Sequence, residues 1–423
     1  MSRLLVAQRA LTIPGWAKDA LWRSAQAIPS LDLRFADNKS LVDAVTGASL
    51  VTYARAYSGT VTDSAGVLQT AATDVPRFDH NPTTGESLGL LVEEQRTNLL
   101  LRSEEFDNAS WGTLNATVSA NTQIAPNGTT SADTITDVNG VTSANVGCFQ
   151  GTTLADSTTY AMSCYVKAGA KTTCRVGIRD KAGANIFANF NLTAVSTTVG
   201  NAVSSTIQDA GNGWYRCTTI CASSTGATSP RGLVYMDTGS YTANGAGTIH
   251  VWGAQLEAGA TPSSYIPTTT AAVTRSASLA DLISSAIANN IRSFYVEFSS
   301  PAVGTRGAVS LNDNTANERA DLLTSGTDPR LVVHDGGAEQ ANIDGGTVAA
   351  GVRTRVAVRI NTNDFAISIN GGTVATDTSG TLPTVDRLMI GRTQAGEYLN
   401  GRIARFTGWT GLLADSTLQA LTQ

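Results

Sequence analysis

Short runs in which apolar and polar residues alternate fill most of this sequence after residue 30. Leu31 and Leu33 alternate with Asp32 and Arg34, and comparable runs recur further along the chain. Successive side chains of a β-strand point to opposite faces, so a period of two is typical of strands that bury one face. Turn-forming stretches such as SSTGATSP and TGSYTANGAG separate the runs, with no helical pattern between them. The pattern predicts an all-β chain built of tandem β-sandwiches.

Changes of composition divide the chain into four predicted parts. Residues 1–30 form a short N-terminal segment, and residues 31–100 form a small β unit. Residues 101–275 carry about eight to ten strands, which is typical of a jelly roll or a related sandwich. The linker IPTTTAAVTRSAS then leads into a second sandwich, at residues 276–423.

Helical spacing of apolar residues is confined to three short segments. These lie within residues 15–26, 279–291 and 415–421, and the last of them is a capped final turn. If three chains assemble, the apolar side of the second segment would face the three-fold axis. Its apolar residues are Leu279, Leu282, Ile283, Ala286 and Ile287.

The low charge of the chain excludes several classes of partner. Charged residues make up 15% of the sequence, and the net charge is −5. No run of Lys and Arg is present to neutralise phosphates, so we expect no binding to nucleic acid or to an anionic membrane surface. No apolar run approaches the ~20 residues of a membrane helix, so we expect no membrane insertion.

The potentially reactive side chains do not form a recognisable catalytic or metal motif. Five cysteines fall between Cys148 and Cys221, an odd number without close pairs or a neighbouring His. This spacing favours reduced, buried thiols over disulfides or zinc. The three histidines, His80, His250 and His334, lie far apart in the sequence and accompany no nucleophile motif. The sequence therefore predicts no catalytic residues, no metal and no cofactor.

Sugar binding needs an exposed aromatic ring with amide or carboxylate groups near it. The sequence offers several aromatic residues in strands and loops of both predicted sandwiches. The candidates for a carbohydrate-binding site are Tyr241, Trp252, Gln255, Tyr398 and Trp409.

Two long blocks and the C-terminal stretch resemble a known class of protein. The blocks are PRFDHNPTTGESLGLLVEEQRTNLLLRSEEFDNASW at residues 76–111 and VWGAQLEAGATPSSYIPTTTAAVTR at residues 251–275. They resemble signature blocks of tailed-bacteriophage tail-fibre, head-fibre and spike proteins, and the segment between them is similar to a carbohydrate-binding-module-like jelly roll. YLNGRIARFTGW, followed by ADSTLQALT, resembles a laminin-G or concanavalin-A-like domain.

The resemblance implies a non-enzymatic virion structural protein that presents its sandwiches to host-surface glycan. Such a protein is made in the host cytoplasm and displayed on the particle exterior, commonly as a homotrimer. Exposed strand edges and the avidity of several weak sugar sites also favour a closed oligomer. Two alternatives stay open: a capsid-decorating head fibre without a receptor role, and a surface-polysaccharide depolymerase or esterase.

The N-terminal segment is the predicted attachment point to other virion proteins. Trp16, Leu21 and Trp22 mark the apolar face of its short helix. A helix of this size near a terminus buries little surface alone, so it docks onto another component. The alternative, in which these residues pack on the chain's own first sandwich, is equally open.

Overall fold

The computed structural model describes residues 19–143, 145–237 and 239–423. Throughout these ranges the backbone is almost entirely strand, turn and loop, with helix confined to four short segments. The all-β prediction is confirmed. The predicted final helical turn is present as Asp415–Leu421.

The elements follow one another in chain order. The first are α1 (Ala20–Ala25), β1 (Leu31–Leu33), α2 (Phe35–Asn38) and β2 (Thr52–Ala54). Next come β3 (Gly59–Thr62), β4 (Leu68–Ala71), β5 (Phe78–His80), β6 (Ser87–Val92), β7 (Arg96–Asn98), β8 (Gly112–Leu114), β9 (Ala116–Ile124), β10 (Thr130–Asp137), β11 (Thr142–Ser143), β12 (Gly147–Gly151), β13 (Thr159–Ala168), β14 (Thr173–Arg179), β15 (Asn185–Asn191), β16 (Ser196–Val199), β17 (Ser204–Asp209), β18 (Trp214–Ala222), β19 (Arg231–Met236), β20 (Tyr241–Thr242), β21 (Thr248–Ala258) and β22 (Val273–Arg275). The last are β23 (Leu279–Ile283), α3 (Ser285–Ala288), β24 (Ser293–Ser299), β25 (Arg306–Asn312), β26 (Arg319–Ser325), β27 (Asp328–Asp335), β28 (Ala338–Asp344), β29 (Thr354–Asn361), β30 (Asp364–Ile369), β31 (Ala375–Asp377), β32 (Arg387–Ile390), β33 (Gly401–Trp409) and α4 (Asp415–Leu421).

The chain forms two compact units rather than the four predicted parts. One unit joins the residues up to Thr52 to Ala280–Gln423, and the other is Tyr53–Leu279. The predicted small unit at residues 31–100 is therefore divided between them. The reason is long-range pairing, because β1 aligns Leu31 with Gly408 on β33, at the far end of the sequence.

The discontinuous unit contains two antiparallel sheets. One has the order β31-β30-β29-β24-β33, with β1 also paired to β33, and the other runs β23-β32-β25-β26-β27-β28. Phe294 and Phe406 stack with ring centroids 5.8 Å apart on the first sheet. Helix α4 packs Leu418 and Leu421 into a cluster that also contains Ala25 of α1.

The segment predicted as a helix within residues 279–291 begins as a strand. In β23, Ala280 and Leu282 are buried, whereas their neighbours are more exposed, which is a period of two. This strand pairs with β32, and only Ser285–Ala288 is helical. The prediction that these apolar residues form one helical face towards a three-fold axis is therefore wrong, because Leu279 and Ile283 lie on a strand.

The Tyr53–Leu279 unit is a jelly-roll sandwich of two six-stranded antiparallel sheets. Sheet A has the order β17-β18-β13-β21-β10-β9, and sheet B has the order β16-β15-β14-β19-β12-β8. Apolar side chains of both sheets form one core, which includes all five cysteines. The thiols are buried and unpaired, as the sequence predicted. Burial raises the pKa of Cys148 and of Cys221 to about 12, so both stay protonated and unreactive near neutral pH.

Candidate functional site

Two residues of the predicted sugar site, Trp252 and Gln255, lie inside the protein. Trp252 is 1% exposed, and its ring packs 5.5 Å from that of Tyr165 and 4.8 Å from that of Tyr265. Gln255 is fully buried and donates from Nε2 to Glu257 Oε1 at 2.6 Å. Neither side chain offers a surface to a sugar, because the polar residues of this strand are used to hold the fold together.

The two signature blocks meet in a buried ionic network centred on Glu93. This carboxylate accepts hydrogen bonds from the backbone N and Oγ of Ser264, at 2.6 and 2.7 Å. It also contacts Arg77 Nη2 at 2.7 Å and Arg275 Nη2 at 3.6 Å. Burial raises the pKa of Glu93, but the charges of Arg275 and Arg77 and the hydrogen bonds from Ser264 outweigh burial and hold that pKa well below its ordinary value.

Gly59 shows how tightly this network is packed. A Cβ at this position would lie 3.2 Å from side-chain atoms of both Arg77 and Arg275 and 3.3 Å from Arg55 Nε. Arg55 itself donates to backbone oxygens of four residues and to the Tyr53 hydroxyl. The blocks that carry the family resemblance therefore have a structural role in this unit.

The two aromatic candidates in the other unit have different surroundings. Trp409 is 1% exposed, packs in the cluster formed with α4, and donates from Nε1 to the backbone oxygen of Ala27 at 3.4 Å. It therefore offers no face to a ligand. Tyr398 is partly exposed and forms an isolated bridge with Arg392.

The residues predicted to anchor the chain are placed only in part. Trp16 lies outside the described residues. Trp22 is buried in its own unit, donating from Nε1 to Asp32 Oδ2 at 2.9 Å, with the Arg34 guanidinium 5.2 Å from its ring. Leu21 is half-buried against the α4 cluster. Trp22 and Leu21 therefore pack on their own chain, but in the unit that contains the C-terminal sandwich rather than on the first sandwich, as the alternative had it.

Tyr241 is half-buried, and a cation covers one face of its ring. Lys171 Nζ lies 3.8 Å from the ring centroid and also contacts Asp237 Oδ2 at 2.9 Å. Burial, followed by the nearby charge of Asp137, raises the pKa of the Tyr241 hydroxyl. The ring is therefore less available for stacking than its Gly-rich loop suggested.

The outer face of sheet B carries an array of side chains suited to a ligand. Residues of its strands alternate between the core and this face, and the register aligns Phe149, Leu233, Gly177 and Phe187 in one row across four strands. No carboxylate occurs at the outward positions of these described strands. We call this surface the B face, and its side chains are Phe149, Thr173, Arg175, Arg179, Asn185, Phe187, Asn189, Asn191, Ser196, Thr198, Arg231, Leu233 and Tyr235.

Aromatic rings and guanidinium groups stack on one another across the B face. Arg175 lies 5.0 Å from the ring centroid of Phe187 and 5.8 Å from that of Tyr235, and these two rings are 5.6 Å apart. Arg231 lies 4.3 Å from the ring centroid of Phe149. Both phenylalanine rings are partly exposed, so each can offer surface to a bound molecule.

Arg175 has an unused hydrogen-bond donor. It is only 9% exposed, and its Nε donates to the backbone oxygen of Asp237 at 3.1 Å. Its Nη2 is buried without a hydrogen-bond partner among the described residues. A buried guanidinium nitrogen without a hydrogen-bond partner is costly, and a water, an ion or a bound ligand can satisfy it.

The charges of all three arginines of the B face act on the pKa of one phenol. Burial raises the pKa of Tyr235, and the charges of Arg231, Arg175 and Arg179 oppose that rise. All three guanidinium groups are therefore within electrostatic reach of the Tyr235 hydroxyl. Asp237, which follows β19, already interacts with Lys171.

Sequence reasoning missed most of this face, although part of the signal is visible. In TCRVGIR and NIFANFN, the buried Cys174, Val176 and Ile186 alternate with outward residues. The alternation shows that Arg175 and Phe187 point away from the core. It does not show that their strands are neighbours, which depends on pairing between distant segments.

Comparison with known proteins gives similarity at the level of fold. No family model matches the chain, and comparison with curated proteins gives no match. Among solved structures, domain 4 of AbnA, a GH43 extracellular arabinanase from Geobacillus stearothermophilus, in complex with arabinotriose, is 16% identical, with a TM-score of 0.30, over 39% of this chain and 82% of that one. Mouse laminin alpha1 domains LG4-5 are 12% identical, with a TM-score of 0.23, over 65% of this chain and 88% of that one. These similarities concern the fold alone.

The expectation of a non-enzymatic chain is corrected by these comparisons. Besides the arabinanase domain, the similar structures include a Trypanosoma rangeli sialidase in complex with sialic acid, 12% identical with a TM-score of 0.26, over 69% of this chain and 60% of that one. Proteins that bind sugars and proteins that cleave them both occur among the similar folds. A fold by itself does not exclude catalysis.

In the part of the chain that the structure describes, no group of three or more His, Cys, Asp or Glu side chains is arranged to hold a metal ion. Among the described residues, no helix has the length and apolar character needed to cross a membrane.

Proposed function

We propose that this chain binds glycan through the B face of its jelly-roll unit. The observation that carries the proposal is the buried, unpaired Nη2 of Arg175 beside the partly exposed ring of Phe187. Sugars present both C–H faces, which stack on aromatic rings, and hydroxyls, which accept from guanidinium and amide donors. Asn185 and Asn189 supply amides on the same face.

The same proposal includes a place on the exterior of a bacteriophage particle, as a fibre or spike protein. The support is the resemblance of residues 76–111 and 251–275 to fibre and spike proteins. Assembly as a homotrimer would present three weak sugar sites together and raise the avidity. Mass spectrometry of purified particles tests the location, and light scattering of the purified chain tests the trimer. A chain absent from the particles, or a monomer in solution, would remove the corresponding part.

A glycan array probed with the full chain tests the sugar-binding proposal. We expect binding to a restricted set of glycans and a loss of about tenfold in affinity, or about 1.4 kcal/mol, for Phe187→Ala. The substitution removes a stacking ring but no core side chain. Tyr57→Ala is the matched control, because Tyr57 is an aromatic residue of the same unit that is 59% exposed and lies outside the B face. An array without signal, or equal losses for the two variants, would refute the proposal.

A further inference from the structure

Two arginines of the B face are placed directly opposite each other. Arg179 on β14 aligns with Arg231 on β19, and both side chains point away from the core. Like charges at directly opposed positions of an antiparallel pair destabilise a sheet. No salt bridge holds either guanidinium among the described residues, and Arg179 donates only to the backbone oxygen of Gly183 at 3.4 Å.

The local charge of the B face is opposite to that of the whole chain. The chain has a net charge of −5, yet the outward positions of sheet B include three arginines and no carboxylate. Gly177 lies between Arg175 and Arg179 on β14 and adds no side chain there. Arg175 and Arg179 therefore flank a buried position that carries no side chain. Neutral sugars need no such concentration of positive charge.

We infer that the glycan bound at the B face is anionic and that its negative group lies between Arg179 and Arg231. The inference rests on the proposed function and narrows its substrate class. Guanidinium groups bind carboxylates and phosphates through paired N–H donors, which fits either a uronic acid or a phosphorylated sugar. Arg175 Nη2 supplies a further donor on the same face. A bound anion would replace the repulsion between Arg179 and Arg231 with two attractive contacts.

Thermal unfolding with inorganic phosphate tests the anion site without knowledge of the glycan. Phosphate should raise the unfolding midpoint of the wild-type chain more than NaCl does at equal ionic strength. Phosphate also stabilises folded chains in general because it is excluded from their surface. Arg179→Gln should therefore show a smaller difference than the wild type, whereas Arg330→Gln should show the wild-type difference. Arg330 is the matched control, because it is a partly exposed arginine on a strand of the other unit. Without phosphate, the Arg179→Gln midpoint should equal or exceed that of the wild type, since the substitution removes a repulsion. A phosphate effect that is equal in the three proteins would overturn the inference.

Matched pairs of neutral and charged sugars identify the source of the charge. The probes are tetragalacturonate against its methyl ester, and phosphorylated pentamannose against pentamannose. We expect the charged member of at least one pair to bind the wild-type chain at least about tenfold more tightly, and Arg179→Gln to lose that preference. Preference for tetragalacturonate identifies a carboxylate, and preference for the phosphorylated sugar identifies a phosphate. Equal binding of both members would leave the proposed function standing and overturn this inference. Failure of every sugar to bind would overturn both.

Discussion

Glu93→Gln is expected to lower the free energy of unfolding of the Tyr53–Leu279 unit by about 3–5 kcal/mol. The substitution leaves Arg77 and Arg275 buried without their shared carboxylate, while the new amide is too weak a partner to replace it. Urea unfolding of the full chain measures the effect. Glu94→Gln is the matched control, since the neighbouring Glu94 side chain is 33% exposed and its loss should cost less than about 1 kcal/mol. Similar small costs for both variants would contradict the assignment.

The same carboxylate predicts a pH dependence. The pKa of Glu93 is lower in the folded chain than in the unfolded chain, where a Glu side chain has a pKa of about 4.3. Its contribution to stability is therefore fully present above that value and is lost as the pH falls through the folded-state pKa. Wild-type stability should decline below about pH 4, and the Glu93→Gln variant should show a shallower decline. Parallel pH profiles of the two proteins would contradict this account.

Trp252→Ala is expected to lower stability by about 3–5 kcal/mol and to leave glycan affinity unchanged where the chain remains folded. The indole fills the space between Tyr165 and Tyr265 on the outer side of sheet A, so its removal leaves a cavity. Trp252→Phe should retain much of the packing and cost less. Phe187→Ala provides the reciprocal case, in which affinity falls and stability changes little. A Trp252→Ala variant with wild-type stability and reduced sugar binding would restore Trp252 as a binding residue.

The fold class could be predicted because it depends on a local pattern. Alternation with a period of two is present within strands such as β15 and β27, and it can be recognised without knowledge of the partner strand. Burial of the cysteines followed from the same pattern. The segment beginning at Leu279 was misassigned because its short apolar run fits both a helix and a strand. Pairing of Leu282 with Leu388 on β32 decides between them.

The domain limits and the candidate site depended on long-range pairing. Leu31 pairs with Gly408, and Arg179 pairs with Arg231. Neither pairing can be predicted from the local sequence. Aromatic residues alone were a poor guide, because Trp252 and Trp409 have the same local pattern as exposed residues yet fill cores. A tryptophan in a strand can be buried on either face of a sheet. The local sequence does not reveal which other residues cover that face.

A crystal structure of the full chain soaked with the glycan that binds most tightly on the array decides whether the B face is the sugar-binding site. We expect sugar density on the B face, stacked on Phe187, with an oxygen within hydrogen-bond distance of Arg175 Nη2. We also expect the anionic group of that sugar between Arg179 and Arg231. Sugar density elsewhere, for example beside Tyr241 or Tyr398, with an empty B face, would contradict the account.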